Sequence, residues 1–310
     1  MKAILFPGQG SQYVGMCSDL YKEFDLVKKI FSSVDNTLGF SLSKLILNGP
    51  EDKLKETQNT QPAIMAVGVS IFNILKENFK LDPDNIKFFA GHSLGEYTAL
   101  VCANSISLEN ATYLLHERGK AMQEAVPIGK GAMIAILGMT IEEIQREINL
   151  INDKGTCEIA NDNSIGQIVV SGHKEKINIL NQNIKLKKKK GIILPVSAPF
   201  HCSLMKNAAI NMSEKISKTQ FSKPTPRIIS NVTAQEESDA DKIKNLLVDQ
   251  ITSRVRWRES VNYMIKMGVN EFLEIGPGKV LSGLVKKINK EVKINNINSI
   301  EEIERYMKSD

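Results

Sequence analysis

The stretch "FFAGHSLGEYTAL", Phe88 to Leu100, places a serine between two glycines, after an apolar run and before a helical pattern. Residues 91–95 match G-x-S-x-G, the pattern of a nucleophile elbow, a sharp strand-to-helix turn that exposes a serine hydroxyl. Such a turn needs glycine because its backbone angles and close approaches exclude side chains. Residues 86–90 predict a short buried strand and residues 94–103 a helix. The pattern indicates that Ser93 is a nucleophile; a Ser/Gly turn without chemistry is the alternative.

The composition is that of an ordinary globular protein. The 310 residues can bury a sizeable core in one large domain or two. Hydrophobic residues make up 42% and charged residues 24%. The apolar run of "MKAILFPGQG" is broken at Pro7 and Gly8, so it is too short for a signal peptide or a membrane span. We therefore expect a cytoplasmic protein with no membrane role.

Cysteine and histidine usage argues against a metal centre. The four cysteines, Cys17, Cys102, Cys157 and Cys202, are widely spaced and form no C-x-x-C pair. This usage fits a reducing compartment. With only four histidines in the chain, a zinc site is not expected either.

Positive charge is concentrated in one segment. The net charge is only +5, but "KLKKKKG" holds Lys185 and residues 187–190. The run favours a solvated basic end of a helix, which the helix dipole also stabilises. An acidic protein partner is a second interpretation. No aromatic or groove-reading element lies beside the run, so a nucleic-acid partner is not expected.

The chain alternates strands with helices along most of its length. Residues 3–6 predict a strand that ends in a polar glycine loop, and helical patterns follow from residue 15 into the fifties. A long helix is predicted to open at Pro62, and Ser107 is predicted to cap another. This alternation is typical of an α/β fold with a largely parallel sheet covered on both faces.

Between residues 129 and 196 the rhythm changes to a βαββαβ order, that of a small ferredoxin-like subdomain. We expect it to be inserted into a large α/β-hydrolase-like domain formed by residues 1–128 and 197–310. Its predicted elements are a strand at 131–139, a helix at 141–150 capped by Thr140, strands at 157–162 and 167–172 around a turn at 163–166, a helix at 173–184 and a strand at 192–197.

A serine nucleophile needs an adjacent base. His92, next to Ser93, is expected to point away from the same target and to be structural. His116 and His173 lie on helices, where surface positions are expected. His201 follows an apolar strand and a proline in "VSAPFHCSLM", so a loop can present it. By elimination His201 is the best base, and its ordinary pKa of about 6.5 suits proton transfer.

Arg118 lies on the apolar stripe of its helix. A buried guanidinium is costly unless a carboxylate accepts its hydrogen bonds. A structural salt bridge is one interpretation. The other is a bidentate grip on the free carboxylate of a substrate, if Arg118 and Ser93 face one pocket. The stripe consists of Ala111, Leu114, Leu115, Met122 and Ala125.

Together these motifs resemble the malonyl-CoA:acyl carrier protein transacylases, which are related to the acyltransferase domains of polyketide and animal-type fatty acid synthases. The resemblance spans nearly the whole chain, and the order of the motifs makes it specific. They are "FPGQGSQ" at 6–12, "NTQPA" at 59–63, "GHSLGE" at 91–96, "HERGKAMQ" with Arg118, "NDNSIGQIVVSG" at 161–172, "SAPFH" at 197–201 and "EIGPG" at 274–278.

The resemblance implies roles for individual residues. Ser93 would be acylated, His201 would be its base, and Arg118 would bind the malonyl carboxylate. The backbone N–H groups of Gln9 and Leu94 would form the oxyanion hole.

Further implied roles concern the surroundings of these groups. A neutral acceptor at Gln250 would orient the histidine, so no carboxylate is expected there, and Asp249 beside it has no assigned role. The bulky Phe200 would disfavour a methyl-branched acyl group. The pocket is expected to contain Gln61, His92, Met122 and Phe200.

The implied activity is ping-pong transfer of malonyl from malonyl-CoA to the phosphopantetheine thiol of acyl carrier protein, supplying fatty acid synthesis. No cofactor is implied, the carrier would be an acidic and transient partner, and relatives of this kind are monomers. A serine esterase or thioesterase is the nearest rival, although α/β-hydrolases order their residues Ser, acid, His and carry an HGGG-type loop. The alternative outside the enzymes is a non-catalytic module that binds a carrier protein.

Overall fold

In a computed structural model, residues 1–79, 81–82, 85–152, 154–196 and 198–309 are described. They form two β-sheets surrounded by helices. The strands are β1 (Lys2–Phe6), β2 (Ile86–Gly91), β3 (Gly131–Leu137), β4 (Cys157–Ser164), β5 (Gln167–His173), β6 (Lys190–Ile193), β7 (Arg227–Ile229), β8 (Glu236–Glu237), β9 (Glu271–Ile275) and β10 (Lys293–Ile297).

The helices are distributed along the whole chain. They are α1 (Ser18–Glu23), α2 (Asp25–Leu38), α3 (Leu42–Asn48), α4 (Glu51–Leu54), α5 (Thr57–Asn78), α6 (Gly95–Cys102), α7 (Leu108–Glu124), α8 (Ile141–Asn149), α9 (Lys174–Leu186), α10 (Lys206–Ser217), α11 (Ala240–Thr252), α12 (Trp257–Lys266), α13 (Val280–Ile288) and α14 (Ile300–Ser309). No helix in the described ranges is both long and apolar enough to cross a membrane.

The larger sheet has the order β10-β9-β1-β2-β7-β8 and is parallel except for β8. Ile4 and Phe6 of β1 pack into a core shared with α5 and α6, whereas Ala3 and Leu5 pack with α12 and α13. Both faces of the sheet are therefore buried, which explains why its strands read as apolar runs rather than as alternating patterns. The predicted mixed α/β class with a parallel sheet is confirmed.

The parallel strands end at one edge of this sheet. Phe6 at the end of β1 is paired with Gly91 at the end of β2, and β7 and β9 run in the same direction on either side. The loops that follow these strands therefore meet at their carboxyl ends, where open α/β sheets bind ligands.

The smaller sheet is antiparallel, with the order β4-β5-β3-β6. One face carries Ile134 and Val170 against α8 and α9, and the other carries Met133 and Val169 into the core of the larger sheet. Main-chain hydrogen bonds join β4 to the segment before α12, because Val255 donates to Ala160 at 2.8 Å and accepts from Asp162 at 2.9 Å.

The start of α5 differs from the prediction. The helix begins at Thr57, so Pro62 lies inside it rather than at its first turn. A proline lacks the N–H that would bond to the carbonyl four residues earlier, here that of Gln58. His116 replaces that donor, since its Nδ1 lies 3.0 Å from the Gln58 oxygen. His116 is half-buried, so the predicted surface position is only partly exposed.

The strand that follows the lysine run also differs from the prediction. β6 spans Lys190–Ile193, two residues before the predicted strand at 192–197; Ser197 lies outside the described residues. Pro195 has no donor for a sheet ladder, which favours an early end to the strand. The lysines at 185 and 187–190 are exposed, and Lys187 pairs with Glu147 at 3.0 Å.

Candidate active site

Ser93 lies in the turn between β2 and α6 with a φ of 54°, in the left-handed region that is costly for a residue with a side chain. The two glycines permit this turn by close backbone contact. A Cβ on Gly91 would lie 1.9 Å from the carbonyl carbon of Gly95, and one on Gly95 would lie 2.2 Å from the oxygen of Phe6. The G-x-S-x-G pattern therefore reflects a steric requirement at both glycines.

Ser93 and His201 are brought together from positions far apart in the chain. The Ser93 Oγ lies 2.8 Å from His201 Nε2. The other ring nitrogen, Nδ1, lies 2.8 Å from the main-chain oxygen of Gln250. A carbonyl oxygen can only accept, so Nδ1 carries the proton and Nε2 accepts the hydrogen bond from the Ser93 hydroxyl. This is the tautomer that a general base requires.

The surroundings of His201 favour its neutral form. The side chain is buried, and burial together with the positive charge of Arg118 lowers its pKa to about 3. The hydrogen bond to Gln250 acts in the opposite direction but is weaker. His201 is thus unprotonated at neutral pH and free to accept a proton from Ser93.

Arg118 is 1% exposed, yet its contacts are to neutral groups. Its Nη1 donates to Gln61 Oε1 at 2.7 Å, and its Nη2 donates to Gln250 Oε1 at 2.8 Å and to Ser93 Oγ at 3.2 Å. The guanidinium also lies over the ring of Tyr97, 5.8 Å from its centroid, while Nε has no hydrogen-bond partner. Within the described ranges no carboxylate forms a salt bridge with Arg118, so the structural salt bridge is not found.

Gln9 and Leu94 lie in the loops that follow β1 and β2. Leu94 precedes α6, and the N–H groups at the start of a helix have no partner within the helix. Across the part of the chain that the structure describes, no hydrogen bond is found from the backbone N–H of Gln9 or of Leu94. Within the described residues, both N–H groups are therefore without a protein acceptor.

The expected pocket residues fall into two groups. Gln61 contacts Arg118 and donates to the Met122 sulfur at 3.9 Å, and Phe200 is buried next to His201. His92 instead makes a hydrogen bond of 2.8 Å to Asn163 and packs against Trp257, with ring centroids 5.5 Å apart. His92 therefore links the turn to β4, in line with its interpretation as structural.

Sequence reasoning missed Asn231, which follows β7. Its Oδ1 accepts from the N–H of Ser93 at 2.7 Å, and its Nδ2 donates to the oxygen of Gly91 at 2.7 Å. The available signal was positional, because a polar residue directly after a strand that neighbours β2 lies at the same sheet edge.

A cleft of about 440 Å³ adjoins the loop of Gln9 and reaches Pro195 and Val196, in the segment leading to His201. Its opposite wall is formed by the start of α5, including Gln58. The four cysteines are buried and unpaired. Among the residues described, no cluster of histidine, cysteine and acidic side chains could hold a metal ion.

Comparison with known proteins places this site in a family. Residues 4–308 match the acyl transferase domain family. The malonyl CoA-acyl carrier protein transacylase of Bacillus subtilis (strain 168) is 42% identical over 304 residues, 97% of this chain and 95% of the relative. That of Staphylococcus aureus (strain MRSA252) is 42% identical over 310 residues, 99% of each chain. The chain belongs to the malonyl-CoA:acyl carrier protein transacylase family. It is therefore an acyltransferase.

Solved structures agree with this transacylase over its length. The acyl-carrier-protein-S-malonyltransferase of Bartonella henselae superposes with a TM-score of 0.96 at 41% identity, covering 99% of this chain and 98% of the other. A malonyl-transacylase in complex with its type II PKS acyl-carrier protein superposes with a TM-score of 0.96 at 38% identity, covering 100% and 99%.

Proposed function

We propose that this acyltransferase moves a malonyl group from malonyl-CoA to the phosphopantetheine thiol of an acyl carrier protein, through a malonyl ester on Ser93. One observation carries the proposal: a buried cation, Arg118, lies against the Ser93–His201 pair and donates its hydrogen bonds only to neutral groups. An acyl group that brings its own carboxylate supplies a directly paired anion, which Glu96, on the far side of Gln250, does not. The names of the relatives and of the carrier complex support the same substrates.

The first half-reaction begins with attack by Ser93 Oγ on the thioester carbonyl. The proton passes to His201 Nε2, and the new tetrahedral centre carries a negative oxygen. The N–H groups of Gln9 and Leu94 are the proposed donors to this oxyanion, at about 3 kcal/mol of stabilisation for each. The start of α6 adds a favourable dipole. Collapse of the intermediate releases coenzyme A, which takes the proton from His201.

The second half-reaction uses the same groups in reverse. The carrier thiol gives its proton to His201, and its sulfur attacks the malonyl ester on Ser93. Collapse of this tetrahedral centre releases malonyl-carrier, and the Ser93 oxygen recovers the proton from His201. Two half-reactions through one site give ping-pong kinetics.

The substrate carboxylate also acts on the base. In the empty site the Arg118 charge helps to lower the pKa of His201. When a carboxylate pairs with Arg118, this charge is offset, so the pKa of His201 rises and it becomes a stronger base. Acyl groups without a carboxylate lack this effect. In addition, the buried and bulky Phe200, which precedes His201, is the residue we propose to disfavour a methyl branch.

We further infer that the small unit is ferredoxin-like and the large one α/β-hydrolase-like, with boundaries of 129–196 for the former and 1–128 with 197–310 for the latter. The antiparallel order β4-β5-β3-β6, with α8 and α9 on one face, supports the first inference. The Ser93 turn at the carboxyl edge of a parallel sheet supports the second.

The test is intact-mass measurement after mixing the protein with malonyl-CoA, followed by peptide mapping. We expect a malonyl adduct on Ser93 that disappears when holo-carrier is added, with malonyl-carrier as the product. Ser93→Ala is the matched control and should carry no adduct. An adduct that survives this substitution contradicts the assignment, and release of free malonate instead of malonyl-carrier indicates a thioesterase.

A further inference from the structure

Glu96, in the first turn of α6, is a second buried charged group at this site, and it is 1% exposed. Its Oε2 accepts from Gln250 Nε2 at 2.7 Å and from the N–H of Asn231 at 3.1 Å. Within the described residues it forms no salt bridge. Burial raises its pKa to about 7, although the two hydrogen bonds and the positive charge of Arg118 oppose that rise. A carboxyl group buried at this cost needs an explanation, and its two partners supply one.

The side chain of Gln250 has a defined direction. Its Nε2 faces two acceptors, the Glu96 carboxylate and the main-chain oxygen of Ser93 at 3.2 Å. Its Oε1 faces the Arg118 guanidinium at 2.8 Å. A reversed amide would place oxygen against the carboxylate and NH₂ against the guanidinium, so that neither contact could form. Glu96 thus decides which way the Gln250 amide points.

The second partner supports the turn itself. The Asn231 main chain is held by Glu96, while the Asn231 side chain binds the N–H of Ser93 and the oxygen of Gly91. Ser93 keeps its unusual backbone angle only because its surroundings fix it. Glu96 therefore holds both residues that contact the Ser93 backbone, Asn231 and Gln250.

We propose that Glu96 is a positioning residue for acyl selection: by fixing the Gln250 amide it sets the orientation of the Arg118 guanidinium toward the substrate carboxylate. This inference rests on the proposed function for the role of Arg118. Glu96 itself touches neither Ser93 Oγ nor the substrate; it acts through Gln250 and Asn231. The acceptor oxygen is retained whether or not the carboxyl is protonated, so the role does not depend on ionisation.

The experiment compares the rates at which malonyl-CoA and acetyl-CoA load Ser93 in single-turnover intact-mass measurements. In Glu96→Ala, Gln250 loses its anchor and Arg118 loses its alignment. We expect the malonyl-to-acetyl ratio to fall about tenfold or more, the size of a misaligned charge-assisted hydrogen bond. Glu96→Gln retains an acceptor oxygen and should recover most of the ratio. A purely structural role would slow both substrates alike and leave the ratio unchanged, which would overturn the proposal.

Two further variants keep the test decisive. If Glu96→Ala does not fold, Gln250→Met removes the same amide and should lower the ratio by a similar factor; an unchanged ratio in a folded Gln250→Met protein rejects the inference. In an Arg118→Met background, Glu96→Ala should cause no further change in the ratio. If the wild-type protein does not load malonyl on Ser93, the proposed function fails instead. If the wild type does load malonyl but the Glu96 variants keep the wild-type ratio, only the inference about Glu96 fails.

Discussion

Two arginines, Arg118 and Arg258, occupy opposite situations in this molecule. Arg258 binds the completely buried Asp162 carboxylate with two nitrogens, Nε at 2.9 Å and Nη2 at 2.8 Å, while about a third of its own side chain is exposed. Arg118 is buried and contacts two amides and a hydroxyl. The first pair is complete and joins β4 to α12. Arg118 has no direct salt bridge, because Gln250 lies between it and the buried Glu96 carboxyl. A buried cation without a directly paired anion is a candidate for binding an anionic ligand.

The largest effect is expected at the nucleophile beside Arg118. Ser93→Ala should abolish adduct formation and lower kcat by at least about ten-thousand-fold, as in other serine enzymes. It should cost little stability, because alanine is strained at this backbone angle much as serine is, so the strain is unchanged by the substitution. Urea unfolding together with intact mass measures both quantities. If Ser93→Ala lost activity only because it unfolds, Ser93 would have a structural role and the Arg118 site could not be distinguished from the structural Arg258 site.

The next largest effect is expected on catalysis, when the charge of Arg118 is removed. Arg118→Met keeps the volume of the side chain but removes its charge. The kcat/KM for malonyl-CoA should fall by about a hundredfold or more, since the substrate carboxylate would then be buried without a partner. Loading from acetyl-CoA should change much less. A malonyl-to-acetyl ratio equal to that of the wild type would show that Arg118 does not bind the carboxylate.

The reciprocal effect separates the arginines by stability. Arg258→Ala leaves Asp162 buried and unpaired, so the free energy of unfolding should fall by about 2 kcal/mol, discounted from the fully buried case because Arg258 is partly exposed. Arg305→Ala is the matched control. Its pair with Glu301 is exposed on α14, and its loss should change stability by less than about 0.5 kcal/mol. Equal losses in the two variants would contradict the assignment of a structural role to Arg258.

The smallest effect is a pH dependence that the Arg118 charge should shift. His201 has a folded pKa of about 3, below its ordinary value of about 6.5, so the unfolded chain binds a proton that the folded protein refuses. The resulting stability is present above pH 6.5 and is lost as the pH falls toward 3. Burial raises the pKa of Glu96 to about 7, which adds stability as the pH falls, so the His201 contribution is read as the difference between the wild type and His201→Gln. Urea unfolding at pH 7 and pH 5 should show that the wild type loses about 1 to 2 kcal/mol more than His201→Gln over this interval.

The pH dependence of unfolding also distinguishes the two arginines. Arg118→Met should raise the pKa of His201, because one cause of the lowered pKa has been removed. The His201 contribution, measured in the Arg118→Met background as the same difference from His201→Gln, should therefore be smaller than in the wild type. Arg258→Ala should leave this contribution unchanged, since Arg258 is not among the groups that shift the pKa of His201. An equal change in the pH dependence of unfolding in both variants would show that Arg118 does not lower the pKa of His201 more than Arg258 does.

Much of this arrangement could be predicted from the sequence. Apolar runs and their helical neighbours indicated the parallel sheet, and the G-x-S-x-G pattern placed Ser93 at its edge. His201 emerged by elimination, and the position of Arg118 on an apolar stripe indicated its burial. The positions of these residues could be predicted because they depend on local periodicity and on residue chemistry that few positions can supply. The roles of Ser93, His201 and Arg118 stay predictions.

Other features depend on contacts that no local pattern records. The early start of α5 relies on His116, 58 residues away, to replace the donor that Pro62 lacks. The partners of Glu96, Asn231 and Gln250, are 135 and 154 residues distant from it. The short strands β8 and β10 gave no clear apolar signal, because β8 has two residues and β10 is only partly buried.

The crowding of Gly91 and Gly95 has a consequence for engineering acyl specificity. A methyl group at either position would collide with main-chain atoms that cannot move without separating β1, β2 and α6. Libraries aimed at new acyl donors should therefore leave the turn untouched. Variation belongs at Met122, which contacts Gln61, and at Phe200, which precedes His201, because neither is one of the two glycines that form the turn.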